Sequence, residues 1–244
     1  MARQERAIRT RNAVLVAAAA VFAERGYEAA TIQEILERAT VTKGALYFHF
    51  PSKEDLARGV LEHAVTDAPP EQPVKMQSFV DMGLILAHRL PREPLLRGAA
   101  RIAADQSNQR FFGKPWGDWV ELTALQIVAA QAQGEVLPHV EPDRTAQALV
   151  GAFTGIQLMS QAATEMADLA ERVSLLYDLV LPSIAVPGVL GRLDTSPERG
   201  AKAYAQALSQ AEARTADPVA PAPAALATPA PVPVADTPAP ARTA

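Results

Sequence analysis

Apolar positions recur at helical spacing from the start of the chain. Ile8, Leu15, Ala18 and Phe22 fall along one stripe, so a first helix is predicted from about Glu5 to Glu24. Gly26 follows the last periodic residue and stops it. Thr31 offers an N-cap and Glu34, three residues on, completes a capping box for a second helix. That helix carries Ile32, Ile35 and Leu36 on one face and runs out near Arg38. A tight turn through Ala39, Thr40 and Val41 leads into a short third helix, about Thr42 to Phe48, and Pro51 blocks its continuation. Ser52 caps a fourth helix, with Glu54 and Asp55 in the first turn, where the helix dipole favours carboxylates, and Leu56, Val60 and Leu61 facing inward.

After Asp67 the pattern changes. Ala68-Pro69-Pro70-Glu71-Gln72-Pro73 cannot be helical and reads as a connector. Helices are predicted at about Val74–Arg89, Pro94–Asp105, Trp116–Gln133, Asp143–Thr164, Asp168–Leu181 and Ser196–Ala213. Their breaks fall at Pro91, at Gly113 with Pro115, at Pro138 with Pro142, and at Pro182 with Pro187. Beyond Arg214 the chain is nearly all Ala, Pro, Val and Thr, with little to bury, and is expected to be a disordered tail. The fold class is therefore all-α. A head over residues 1–66 built on a three-helix helix-turn-helix precedes a larger helical domain over 74–213 and a tail over 214–244.

Composition sharpens this. Hydrophobic residues make up 49% of the chain and aromatics only 5%, with Ala and Leu abundant, which favours helices over strands. There are no cysteines, so disulfides and thiolate metal sites are excluded. No signal-type segment and no apolar run of spanning length occurs, so a cytoplasmic protein is expected, with no membrane partner. The net charge is −4, but its distribution is uneven. Through Lys53 there are eight basic side chains against five acidic ones, a balance of +3. The remainder carries 15 against 22, or −7. A basic head on an acidic body suits a protein whose front end alone meets phosphates.

The third helix carries the most chemistry. In Thr42-Lys43-Gly44-Ala45-Leu46-Tyr47-Phe48-His49-Phe50, Ala45, Leu46 and Phe50 can face a small core while Thr42, Lys43, Tyr47 and His49 face outward. A recognition helix needs this arrangement, with a long cation for a base edge and hydroxyls for phosphates. Gly44 costs about 1 kcal/mol against alanine inside a helix, a loss that close approach to DNA would offset. A loop glycine on a charged surface turn is the plainer alternative.

The run Ala29-Ala30-Thr31-Ile32-Gln33-Glu34-Ile35-Leu36, followed by Val41 to Glu54, resembles the DNA-binding domain of TetR-type repressors, over about Arg6 to Glu62. The later chain is similar to the γ-butyrolactone receptors of actinomycetes. Ala7-Ile8-Arg9-Thr10-Arg11, Gly134 to Val140, Phe153-Thr154-Gly155-Ile156-Gln157 and Leu181 to Pro187 all have counterparts there. The likeness ends near Gly200, and Asn108 to Lys114 departs from it. The resemblance implies that Lys43 and Gly44 meet bases while Thr42, Tyr47, His49 and Lys53 hold phosphates. Thr31, at a helix N-terminus, is also placed for a phosphate. Tyr47 and His49 have a structural alternative, bracing the fourth helix.

The resemblance also implies that one tryptophan caps a ligand pocket, at Trp119 rather than Trp116. A flat ring with one N–H suits an alkyl chain carrying a single polar head. The alternative is that both tryptophans are core. Thr154 and Gln157, close on one helix, are candidate partners for that polar head, or form helix–helix hydrogen bonds in a dimer. Ala146–Met159 and Leu169–Leu181 are apolar on more than one side, which predicts a four-helix homodimer interface.

Enzymatic readings have little support. No Gly-rich phosphate loop, Gly-x-Ser-x-Gly elbow or His-Glu-x-x-His pair occurs, and His49, His63, His88 and His139 are scattered singly. The expectation is a DNA-binding repressor, not an enzyme, needing no metal or cofactor. It would bind a pseudo-palindromic operator and be released by a butyrolactone-type signal, with an antibiotic or biosynthetic intermediate as alternative. A helical enzyme or carrier is the distant one.

Overall fold

Helix α1 (Ala2–Ala29) starts before the predicted Glu5 and is interrupted at Gly26, whose φ of 77° and ψ of 169° are open to glycine and strained for other residues. In this computed structural model, residues 2–63, 69–105 and 116–216 are described. Leu15, Ala18 and Phe22 are fully buried, as their spacing predicts, but Ile8 is 53% exposed. Burial begins at Val14, so the first turns of α1 overrun the bundle they belong to.

Three further helices complete the head: α2 (Ile32–Ala39), α3 (Lys43–His49) and α4 (Lys53–His63). The predicted capping box is formed at Thr31, which accepts from the Glu34 N–H while the Glu34 carboxylate accepts from the Thr31 N–H. Thr40 ends α2 in the left-handed region at φ 54°. Ser52 accepts from the Asp55 N–H at the start of α4. Ile35, Leu46, Phe50, Leu56 and Val60 close the core of the head, with Leu61 and Ala45 only half-buried.

The body contains α5 (Lys75–Arg89), α6 (Pro94–Ala104), α7 (Trp116–Ala132), α8 (Pro142–Thr164), α9 (Leu169–Val180), a 3₁₀ turn (Leu181–Ser183), α10 (Pro187–Leu190) and α11 (Arg199–Ala216). The six predicted helices of the body lie within a few residues of these bounds, whereas the 3₁₀ turn and α10 occupy a stretch expected only to break the chain. Helix α7 ends before Gly134, whose φ of 70° turns the chain, so that glycine rather than Pro138 sets the break. An isolated antiparallel bridge between Val136 and Ala185, too short to show as a strand pattern, ties the segments after α7 and α9 together. Helix α11 runs three residues into the stretch expected to be tail. Residues 217–244 lie outside the described residues, as do the end of the head at 64–66, Ala68 and the predicted break at Gly113 and Pro115.

The turn from α8 to α9 is pinned by Asp168, which accepts from the Ser160 and Thr164 hydroxyls and from the Arg172 guanidinium. The Ser160 and Thr164 hydroxyl bonds lead in holding its carboxyl down at about 2. Glu165 and Met166 complete the turn at φ 54° and 70°.

Helix α6 belongs to both parts of the fold. Leu95, Ala99 and Ile102 join the core of the head, while Leu96 and Ala100 join the core of the body. Gly98 lies against α1 so closely that a Cβ there would sit 2.5 Å from the Ala19 carbonyl oxygen and 2.7 Å from its Cα. Backbone cannot yield as a flexible side chain can, so overpacking at this position costs about 1–3 kcal/mol or more. Gly98→Val is expected to lower Tm by roughly 3–10 °C in calorimetry, at about 2–4 °C per kcal/mol for a chain of this size. Gly117→Ala, whose Cβ meets nothing within 4 Å, is the matched control. Equal Tm values for the two variants would contradict the tight seat.

Candidate DNA-reading face and ligand site

The geometry of α3 follows from two anchors and a cap. Leu46 and Phe50 are buried in the head, and Thr42 caps the helix by accepting from the Ala45 N–H. Everything between turns outward. Lys43 and Gly44 are exposed, and no atom lies within 4 Å of where a Gly44 Cβ would stand. Lys43 makes no ion pair among the described residues; its ammonium lies 5.9 Å from the Tyr47 ring. Tyr47 is 38% exposed, and its hydroxyl has no hydrogen bond among the described residues. The Thr42 hydroxyl accepts one bond and donates to no group among the described residues. These four residues form one uncommitted polar surface.

The remaining predicted contacts are arranged differently. Thr31 uses its hydroxyl twice, donating to the Glu34 carboxylate at 2.8 Å and accepting from the Glu34 N–H. The Thr31 bonds hold the Glu34 carboxyl below its usual range, so a negative charge already occupies this corner. Lys53 is half-buried. Its ammonium donates to the Glu28 carbonyl at 3.1 Å and lies 4.7 Å from the Tyr27 ring, and burial lowers its pKa from the ordinary value. Lys53 therefore braces α4 against the end of α1. His49 is half-buried beside the Phe48 ring, 5.0 Å between centroids. Arg25 and Arg38 face Glu34 and Glu24, at 3.5 and 2.7 Å.

Sequence reasoning passed over Phe48. It is 81% exposed on a helix otherwise presenting donors, an apolar ring beside the polar face. Its position between Tyr47 and His49 was the available signal.

In the body, α7 packs beside α8 and brings together the helices that bear the other three candidates. Trp119 is half-buried in the first turn of α7, and its carbonyl accepts from the Thr123 hydroxyl. Thr154 is half-buried and donates to the Val150 carbonyl of its own helix, so its proton is spent. Gln157 differs from both. It is only 6% exposed and makes no hydrogen bond among the described residues. It shares the inward stripe of α8 with Ala146, Leu149 and Ser160, which places it toward the body. The outward face of α8 instead carries Gly151, Gly155, Leu158 and Met159. On α9, Leu175 and Leu179 are likewise exposed, Leu179 to 73%. No group of three or more potential metal ligands clusters among the described residues, and no helix there is long and apolar enough to cross a membrane.

Comparison with known proteins bears on this arrangement. Residues 14–60 match the profile described as bacterial regulatory proteins of the tetR family, and residues 74–187 match that of the tetracyclin repressor-like C-terminal domain. The A-factor receptor protein of Streptomyces griseus is 42% identical over 215 residues, spanning 87% of this chain and 76% of the receptor. The crystal structure of TylP, a TetR regulator from Streptomyces fradiae, superposes with a TM-score of 0.76 at 43% identity, covering 83% of this chain and 99% of that one. A γ-butyrolactone receptor of solved structure, described as ArpA-like, has a TM-score of 0.62 at 26% identity, over 84% of this chain and 99% of its own. The uncommitted face of α3 thus sits on a head and body that are both matched, and the chain belongs to the TetR family of bacterial regulatory proteins.

Proposed function

We propose that this TetR-family chain is a homodimeric, cytoplasmic repressor. It would hold a pseudo-palindromic operator through paired α3 helices and leave it when a small lipophilic signal of γ-butyrolactone type enters the body. Control of secondary metabolism or antibiotic production is the corresponding role, in line with the likeness to the A-factor receptor. The observation that carries the DNA-binding part is the free face of Thr42, Lys43, Gly44 and Tyr47, in a chain whose other head cations are largely occupied. Thr31, His49 and Lys53 stand at the margin of that face. Thr31 and Lys53 would contribute by exchanging an internal bond for a phosphate.

For the ligand, the supporting observation is the buried amide of Gln157. An amide with no partner among the described residues leaves its donors and acceptors unmet, at a cost of about 1–3 kcal/mol that a polar ligand head would recover. Trp119 would cover the alkyl chain, and Thr154 offers only lone pairs. Dimerisation through α8 and α9 would bury Leu158, Met159, Leu175 and Leu179. Half-sites would then lie about 34 Å, or a multiple, apart. Release follows through α6, which shares both cores, so displacement of its body face carries the head with it. A nearly complete switch needs about 5.5 kcal/mol of differential affinity, which roughly seven buried methylenes supply.

Lys43→Ala is expected to weaken binding mostly at one operator position, read by binding to a set of single-base operator variants. A uniform loss across all of them would contradict base readout. Gly44→Ala separates structure from function. The free protein should gain up to about 1 kcal/mol in denaturant unfolding, while operator affinity falls because the methyl projects toward DNA.

For the pocket, gel shifts on the region upstream of the protein's own gene, with long-chain γ-butyrolactones added, should show release by the parent protein. Trp119→Ala should bind the same duplex normally and resist release, and Gln157→Leu should need a higher lactone concentration. Normal release from Trp119→Ala would remove it from the site. Release by antibiotics but not by lactones would reassign the ligand.

A further inference from the structure

A fully bonded carboxylate in the body lies outside both candidate sites. Asp81, on α5, is fully buried and receives four donors. Arg199 of α11 meets both its oxygens, Nε to Oδ1 at 2.7 Å and Nη2 to Oδ2 at 2.6 Å. Gln77 donates to Oδ1 and Gln72 to Oδ2, each at 2.8 Å. Gln77 also exchanges two hydrogen bonds with the backbone of Asp194, just before α11. A buried ion pair gives specificity of geometry more dependably than net stability, because desolvation consumes most of its attraction.

What this geometry fixes is the connector between head and body. Gln72 belongs to the proline-rich segment ahead of α5, and its side-chain amide bridges Asp81 and the Gln206 side chain of α11, at 2.8 and 3.0 Å. The Glu71 N–H donates to the Gln210 side chain at 3.2 Å, and the Gln72 N–H donates to the Ser78 hydroxyl. Helix α11 is seated on α5 by Gly200, where a Cβ would collide with the Leu84 carbonyl. It is also held by Arg89, whose guanidinium lies 4.8 Å from the Tyr204 ring. Gln72, Arg199, Gln206 and Gln210 fall outside both stretches matched by the family profiles.

We propose that α11 clamps the connector and makes it a fixed pivot for the head, with Gln72 and Gln206 as positioning residues for DNA binding. Among the described residues the head packs on α6, and the chain enters the body through this connector. With the connector held, movement of α6 becomes rotation of the head rather than loose translation, and without ligand the spacing of the two α3 helices has one value. Releasing the connector leaves both cores intact and spreads the head orientations, so the fraction competent for two half-sites falls and apparent affinity falls with it.

The proposal rests on the reading of the chain as a DNA-binding dimer, yet its main readout needs neither DNA nor ligand. The absence of cysteines allows a single label per protomer at Asn12→Cys, since Asn12 is exposed on α1 and makes no hydrogen bond or ion pair among the described residues. Pulsed electron–electron spin resonance on the full-length labelled dimer should give one narrow inter-protomer distance distribution. In Gln206→Ala and in Gln72→Ala it should broaden roughly twofold, with operator affinity about tenfold weaker, while both variants remain folded dimers. The operator is taken as duplexes selected from random DNA by the parent protein. Unchanged distances and affinity in both variants overturn the pivot, as does a parent distribution that is already broad. Should Gln72→Ala unfold, Gln206→Ala decides alone, because it removes one bond from a half-buried side chain. Failure of the parent to select any duplex would sink the functional reading while leaving the distance result to stand or fall by itself.

Discussion

The contact on which the rest of the structure depends is the backbone-to-backbone seat of α6 on α1 at Gly98 and Ala19. A four-helix head of about 60 residues has too little interior to be rigid alone, because small domains bury a small fraction of their surface. Borrowing Leu95, Ala99 and Ile102 from α6 enlarges that interior. The same helix places Leu96 and Ala100 in the body, so the head is completed by an element the body also owns. A packed core does not deform smoothly, and an element shared by two cores carries displacement from one to the other.

That sharing frees α3. Because α1, α4 and α6 hold one another, α3 needs only Leu46 and Phe50 as anchors and can leave its remaining face unpaired. The head's cations divide accordingly. Arg25, Arg38 and Lys53 serve the fold through Glu34, Glu24 and the Tyr27 ring with the Glu28 carbonyl, whereas Lys43 makes no ion pair among the described residues and has only the Tyr47 ring beneath it, 5.9 Å away. The balance of +3 through Lys53 therefore overstates the charge available to a phosphate backbone, and position matters more than count.

Helix placement was legible in the sequence because the stop signals are chemical. The Thr31 box, the Ser52 cap and Pro142 at a helix start each act through a local hydrogen bond or a fixed φ, and each lies where the pattern predicts. What depended on tertiary contact was not legible. Periodicity placed Ile8 on the buried stripe, but it cannot report where the bundle ends. Composition made Lys53 one more surface cation, and only the approach of Tyr27 turns it inward. Periodicity assigned no role to Phe48 or to Asp81, and only the tertiary arrangement leaves the one ring in water and encloses the one carboxylate under α11.

Two buried polar side chains of the body show how satisfaction sorts roles. Asp81 carries a formal charge and has no exposed surface, yet every lone-pair direction is met, by Arg199, Gln77 and Gln72. Such a group is finished, and its work is to fix the elements that supply its donors. Gln157 is neutral and almost as deeply buried, and none of its donors or acceptors is met by the described protein. Burying an amide in this way is unfavourable unless something else completes it, and α8 packs it inward beside Leu149 and Ser160 rather than outward with Leu158 and Met159. The saturated group marks where the fold is closed, and the unsaturated one is the polar group on which the proposed ligand site rests.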